Sequence, residues 1–188
     1  MITYCTTSLR AFLILTLVTG VLYPALMLLA GRVLFPEQAQ GTIIRREGAV
    51  VGSALVAQGF ASPGSFHPRP SASNYGAMPA GAANQSPTSK ALVAAVAERR
   101  AQGATGELLF ASGSGLDPEI VPADARSQIP RIMAARGAAL GADEAARRAR
   151  LEALIREATL PPDLGFLGRE RVNVVRLNLA LDRLQARP

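Results

Sequence analysis

Residues 11–31 carry no charge, and Arg10 and Arg32 bracket the run. As a helix this stretch would span about 31 Å, close to the hydrocarbon thickness of a bilayer. Eleven of its residues are Leu, Ile, Val or Phe. They favour insertion by about 3–7 kcal/mol before the polar residues are counted against them. The alternative is a cleaved secretory signal, whose apolar core is about 7–15 residues long and ends in a small-x-small site. Here the run is longer and ends Leu-Leu-Ala-Gly-Arg. The pattern predicts a short tail (1–10), a retained transmembrane helix (11–31) and a soluble domain (32–188).

The predicted span has two faces. At 100° per residue, Thr16, Thr19, Gly20, Tyr23, Pro24, Met27, Ala30 and Gly31 share one side, and the other side is aliphatic. Lipid accepts the aliphatic side. Small and hydroxylated residues allow close approach by another helix, and Pro24 leaves the Gly20 carbonyl without its helical donor. We therefore assign Thr16, Gly20, Tyr23, Pro24 and Gly31 to helix packing against other membrane subunits, the alternative being a lone anchor.

Beyond the span the periodicity is mixed. Residues 48–58 predict one or two short strands, through Val50, Val51, Leu55 and Val56. Residues 59–87 are rich in Gly, Ala, Ser and Pro and predict a long surface loop. Phe66, His67, Arg69, Tyr75 and Met78 within it point to partial packing, as against disorder. A helix is predicted from Thr88 or Ser89 to Gln102, with Leu92, Val93 and Val96 as its apolar stripe and Gly103 as its stop. Residues 107–111 predict a strand that runs into a turn, SGSGLDP. A helix from Pro122 should restart or kink at Pro130 and end at Gly137. Asp143 should cap a helix to Ala158, with Leu151, Leu154 and Ile155 facing inward. After a Pro/Gly connector, a strand over 172–177 leads to a last helical segment over 178–184. Strands and helices mix without a βαβ repeat, so the fold class is α+β.

Composition adds less. The chain is 49% hydrophobic but only 5% aromatic, which predicts a core of small and aliphatic side chains. The net charge is +6, nearly all from Arg, since Lys90 is the only lysine. A nucleic-acid surface would want these charges clustered and interleaved with aromatic residues. They are scattered, and a membrane anchor speaks further against nucleic acid. Cys5 is the only cysteine, so no disulfide forms within the chain.

Most catalytic signatures fail. His67 is the only histidine, which leaves no multi-histidine metal site. The serines at 112 and 114 lack the glycine spacing of a nucleophile elbow. Lys90 does not sit in a phosphate-binding Gly-Lys-Ser/Thr loop. Asp117 and Glu119 flank Pro118 in a turn, where Asp117 reads as an Asx-turn or cap residue. Two features remain. Ala111–Pro118 is a Ser/Gly turn in which Ser112, Gly113, Ser114 and Gly115 could present amides to an anion, or simply form a tight turn. RVNVVRLNLALD (171–182) reads as a buried strand entering a helix, with Asn173 and Asn178 able to bond neighbouring backbone.

Taken in order, these blocks resemble the C subunit of the Kdp potassium-transporting P-type ATPase. The resemblance covers nearly the whole chain. It includes Gly20-Val21-Leu22-Tyr23-Pro24, Gly52-Ser53, Gln58-Gly59-Phe60 and Phe66. It continues through RPSA (69–72) with Tyr75, Asn84, and Pro87-Thr88. SGSGLDP, Gln128-Ile129-Pro130-Arg131 and RVNVVRLNLALD complete it. Two positions depart from the family. Glu119 stands where the family usually has histidine, and Gly81-Ala82-Ala83-Asn84 replaces a Gly-Gly-Ser-Asn loop likened to a nucleotide-binding signature.

The resemblance implies a non-catalytic accessory subunit, with no metal and no cofactor of its own. It implies a complex with a potassium-binding channel-like subunit, an ATP-hydrolysing subunit and a very small membrane subunit. The implied role is to stabilise that assembly and raise its ATP affinity as a catalytic chaperone. Any shared ATP contact would fall on Asn84 and residues 112–115. The implied place is the bacterial inner membrane, single-pass, in contact with lipid, with the soluble domain periplasmic. Arg32, Arg45 and Arg46 would by count alone lean toward a cytoplasmic domain, and direct ATP contact would need one. Two other classes remain for comparison, a membrane-tethered serine hydrolase using Ser112 or Ser114 and a stand-alone anchored binding module.

Overall fold

A single apolar helical rod opens the chain. In the computed structural model, which describes residues 2–46, 48–140 and 143–185, α1 (Ile2–Leu17) passes through a π-helical turn (Val18–Leu22) into α2 (Tyr23–Leu34). Residues 3–34 form one stretch long and apolar enough to cross a membrane, with mean hydropathy 2.3 in its best window, and none of that window is buried. The expected tail is helical from Ile2 onward. The π turn has a local cause. Pro24 has no N–H, so the ladder skips, and the Tyr23 amide reaches back five residues to the Val18 carbonyl. Thr19 Oγ1 donates to the Leu15 carbonyl at 2.7 Å just before it. A π turn takes an extra residue per revolution, so the small-residue stripe after Leu22 is turned relative to Thr16 and does not continue straight.

The chain divides into two units after Ile44. A short α3 (Pro36–Ala39) closes the first, and the division falls within β1 (Ile43–Arg46), which pairs with β2 (Ala49–Ser53). The second unit is an α+β domain. Its elements are α4 (Lys90–Ala101), a 3-10 turn (Gly106–Leu109), β3 (Glu119–Ile120), α5 (Pro122–Ser127), α6 (Ile129–Arg136), a second 3-10 turn (Gly137–Leu140), α7 (Glu144–Ala158), β4 (Thr159–Leu160), β5 (Arg171–Asn173) and α8 (Val174–Gln185). β5 is central in a three-stranded antiparallel sheet, pairing Val172 with Ile120 on one side and with Thr159 on the other.

The core gathers around that strand. Ile129 and Ile132 of α6, Leu151 and Ile155 of α7, and Leu177 and Leu181 of α8 are all buried, with Phe66 from the long loop at 0% exposure. Each such side chain contributes about 1.5–3 kcal/mol by leaving water. α7 starts as predicted, with the Asp143 carboxylate accepting from the Ala146 amide at 3.1 Å. Pro122 opens α5, Pro130 sits in the first turn of α6, and Gly137 ends α6 at positive φ.

Four expectations are corrected. The strand over 107–111 is instead the 3-10 turn at Gly106–Leu109. Gly106 has φ +56°, and the Asp124 carboxylate accepts the Glu107 amide, which curls the segment before it can extend. The strand over 172–177 stops at Asn173, because the Asn173 side chain accepts the Arg176 amide at 3.1 Å and starts α8 there. The stripe of α4 does not reach the core. No α4 residue is buried, and Val93 is largely exposed. Met78 is also not packed, at 94% exposure.

Candidate functional site

The long loop is ordered by two side-chain amides. Asn178 of α8 accepts from the Phe66 amide at 2.8 Å and donates to the Phe66 carbonyl at 2.9 Å. Gln128, at the joint between α5 and α6, does the same for the next residue, at 2.8 and 3.0 Å to the His67 amide and carbonyl. Each amide copies the donor–acceptor pair of a neighbouring strand, so two consecutive loop residues are satisfied without a sheet. Arg131 adds bonds to the Pro63 and Ser65 carbonyls.

The Ser/Gly turn packs on the far part of this loop. The Ser112 amide donates to the Pro70 carbonyl at 2.8 Å. Ser112, only 1% exposed, accepts the Asp117 amide through Oγ, and Ser114 Oγ accepts the Leu116 amide. Gly115 has φ +73°, and a Cβ there would stand 2.8 Å from the Gly81 carbonyl oxygen, so both its conformation and the close approach require glycine. Asp117 accepts the Glu119 amide at 2.9 Å, the Asx turn expected of it. Among the described residues, Gly113 and Ser114 are the members of 112–117 whose amides bond nothing in the chain. A full anion nest is therefore reduced to two free donors.

Of the residues singled out by sequence, Asn84, Ser112 and Gly113 line one cavity of about 690 Å³, together with Arg99 and Phe110. Ser114 and Gly115 do not line it. Asn84 has φ +49°, in the left-handed region that Asn tolerates. Neither serine has a base. Ser112 Oγ meets Ser114 Oγ at 3.4 Å, whereas His67 lies against the Ser62 carbonyl at 3.0 Å and borders a different cavity. A serine-nucleophile reading gains nothing from this geometry. No cluster of three His, Cys, Asp or Glu suited to a metal occurs among the described residues.

Glu119, in the position where a histidine was expected by resemblance, pairs with Arg171, whose Nη2 also meets Asp163 at 2.9 Å. These bonds hold the Arg171 guanidinium more firmly charged than usual, Asp163 foremost. The position is part of a half-buried ion-pair chain that links edge strand β3 to central strand β5 and on to Asp163.

Sequence reasoning missed Asp124 and Arg99. Asp124 is buried, and burial pushes its carboxyl up while the Glu107 amide opposes the shift. Arg69, whose charge also steadies Asp124, has a buried Nε with no hydrogen-bond partner. Asp124 follows Pro-Ala at a helix start, where an acid is ordinary, so nothing in the sequence set it apart. Arg99 bonds the Leu109 carbonyl at 2.8 Å and lines both cavities, one among many scattered arginines.

In the first unit, a Cβ at Gly20 or Gly31 would meet nothing within 4 Å. The chain itself leaves Thr16, Gly20, Tyr23, Pro24 and Gly31 open along the rod.

The comparison with known proteins follows the same blocks. The family model for the c chain of the K+-transporting ATPase, KdpC, matches residues 5–183. The potassium-transporting ATPase KdpC subunit of Cereibacter sphaeroides is 48% identical over 189 aligned residues, covering 97% of this chain and 98% of the relative. The corresponding subunit of Gemmatimonas aurantiaca is 46% identical, covering 92% and 88%, and that of Methylococcus capsulatus is 42% identical, covering 98% and 100%. The match runs through both the apolar rod and the α+β unit, and the chain belongs to the KdpC family, the c chains of K+-transporting ATPases.

Proposed function

We propose that this chain is a non-catalytic, single-pass subunit of the bacterial inner membrane that stabilises a potassium uptake pump and raises its ATP affinity. Its partners in this reading are a channel-like potassium-binding subunit, an ATP-hydrolysing subunit and a small membrane subunit. The carrying observation is the rod of residues 3–34, whose best window is wholly unburied and which is interrupted by a π turn at Val18–Leu22. A carbonyl deprived of its donor by Pro24 is costly in hydrocarbon and favours a neighbouring helix. Gly20 and Gly31 offer room for one. The soluble unit is periplasmic in this reading, so its effect on ATP affinity travels through the assembly.

A second reading has support of its own. The free amides of Gly113 and Ser114, with Arg99 and Asn84 on the same cavity, suit an anion such as a nucleotide phosphate. That contact, shared with the hydrolytic subunit, requires the soluble unit to be cytoplasmic.

The test is co-purification from membranes of a strain carrying the full set of subunits. Gly20→Leu and Gly31→Leu, at positions where an added Cβ meets nothing within 4 Å, should reduce recovery of partner subunits. Undiminished recovery would overturn the helix-packing role. Protease protection on intact spheroplasts separates the two readings: cleavage of the soluble unit from outside supports the periplasmic one, and protection supports the cytoplasmic one.

A further inference from the structure

The soluble unit holds another cavity, of about 640 Å³, whose walls mix Phe60, Pro68, Leu108 and Pro130 with the polar side chains of Arg99, Arg131 and His67. Among the described residues, no aspartate or glutamate lines it. Two guanidiniums reach this cavity, both half-buried. Arg46, Arg136, Arg148, Arg169 and Arg171 each face a carboxylate. Among the described residues Arg99 and Arg131 face none. Arg131 Nη2 donates to the Ser65 carbonyl at 2.9 Å and to Gln128 Oε1 at 2.7 Å, and Nη1 to the Pro63 carbonyl, all neutral acceptors. Arg99 spends one bond, from Nη1 to the Leu109 carbonyl.

The two cations have different capacities. Arg131 is held rigidly, with its terminal donors occupied, so it contributes a fixed positive field. Arg99 keeps donors in hand at the cavity wall, close enough to Tyr75 for its charge to act on that phenol. A half-buried positive charge without a counter-ion is unfavourable, and an anion of the right size offsets that cost. A guanidinium edge matches the two oxygens of a carboxylate. The proline, phenylalanine and leucine wall suits an apolar body and disfavours a compact, multiply charged ion, which would lose hydration there without replacement.

We propose that this cavity binds a small organic carboxylate, with its carboxylate at Arg99 in the field of Arg131 and its apolar body against Phe60, Pro68, Leu108 and Pro130. The site is separate from the cavity of Ser112 and Asn84, though Arg99 borders both. It does not depend on which side of the membrane the unit occupies.

The experiment is saturation-transfer NMR on the full chain in detergent, using phenylacetate, the neutral phenylethanol and inorganic phosphate. Phenylacetate should bind at millimolar concentration, and neither phenylethanol nor phosphate should displace it at equal concentration. Arg99→Gln removes the charge-assisted bonds and should weaken phenylacetate roughly tenfold. Gln102→Glu, on the same wall and with a solvent-facing side chain, adds a competing carboxylate and should weaken it similarly. Because Gln102 is exposed, this variant decides the matter if Arg99→Gln does not fold. The proposal is overturned if phenylacetate does not bind, if phenylethanol or phosphate binds as well, or if a folded variant at either position binds phenylacetate as the native chain does.

Discussion

The side-chain amide of Asn178 closes a two-way hydrogen-bonded ring with the backbone of Phe66, across 112 residues of sequence. Phe66 is fully buried, so its N–H and C=O have no water to turn to. Asn178 thereby fixes the fully buried aromatic side chain of the long loop.

Replacing Asn178 by Leu keeps the volume but orphans both backbone groups. The cost should be about 2–5 kcal/mol, read as a lower midpoint in urea unfolding of the detergent-solubilised chain. Asn178→Asp retains the acceptor for the Phe66 amide but sets an anion against the Phe66 carbonyl, so it should be destabilised as well. A midpoint unchanged in both variants would show that the ring does not hold the loop.

Stability should also fall on mild acidification because of His67. Burial holds this imidazole below its ordinary 6.5, the Ser62 carbonyl opposes the drop, and the Arg131 charge adds to it. Above 6.5 the ring is neutral whether the chain is folded or not, and its native contacts count in full. Below 6.5 the unfolded chain takes up the proton first, so stability declines until the pH passes the lower value of the folded state. Urea midpoints measured from about pH 8 to about pH 5 should show this decline, and His67→Gln should flatten it. Parallel curves for the two proteins would rule the histidine out as its source.

Two neighbouring glycines should respond differently to alanine. Gly115→Ala forces a side chain into a left-handed conformation, 2.8 Å from the Gly81 carbonyl. It should cost about 1–3 kcal/mol. A Cβ at Gly113 meets nothing within 4 Å, so Gly113→Ala should be nearly neutral in stability. Differential scanning fluorimetry on both variants checks the pair, and equal losses would mean that the turn is not packed against residue 81.

Much of this architecture was legible because its causes are local. Asp143, Pro122, Pro130 and Gly137 each act within a few residues, and each marked its helix boundary correctly. The apolar rod was legible by length, although the π turn moved its small-residue stripe. The two misread strands share one cause. Glu107 and Arg176 owe their conformations to acceptors on Asp124 and Asn173, and a run such as Val172–Leu177 looks equally like strand or buried helix until the capping bond is known. Asn84, Ser112 and Gly113 stood out in the sequence as ligand candidates, but their meeting on one cavity was not legible there. Arg99, His67 and Gln128 come together only through the clamps on Phe66 and His67, which link residues 61 and 112 positions apart.

One wall common to both cavities is α4, a helix with no buried side chain, which Arg99 ties to the 3-10 turn through the Leu109 carbonyl. Such a helix opens at lower free energy than α8, so its amides should exchange with deuterium well before those of the core. Arg99, the α4 residue that lines both chambers, moves with it. An occupant of either chamber that holds Arg99 should slow that exchange, and through it the two occupancies are linked without contact between the occupants.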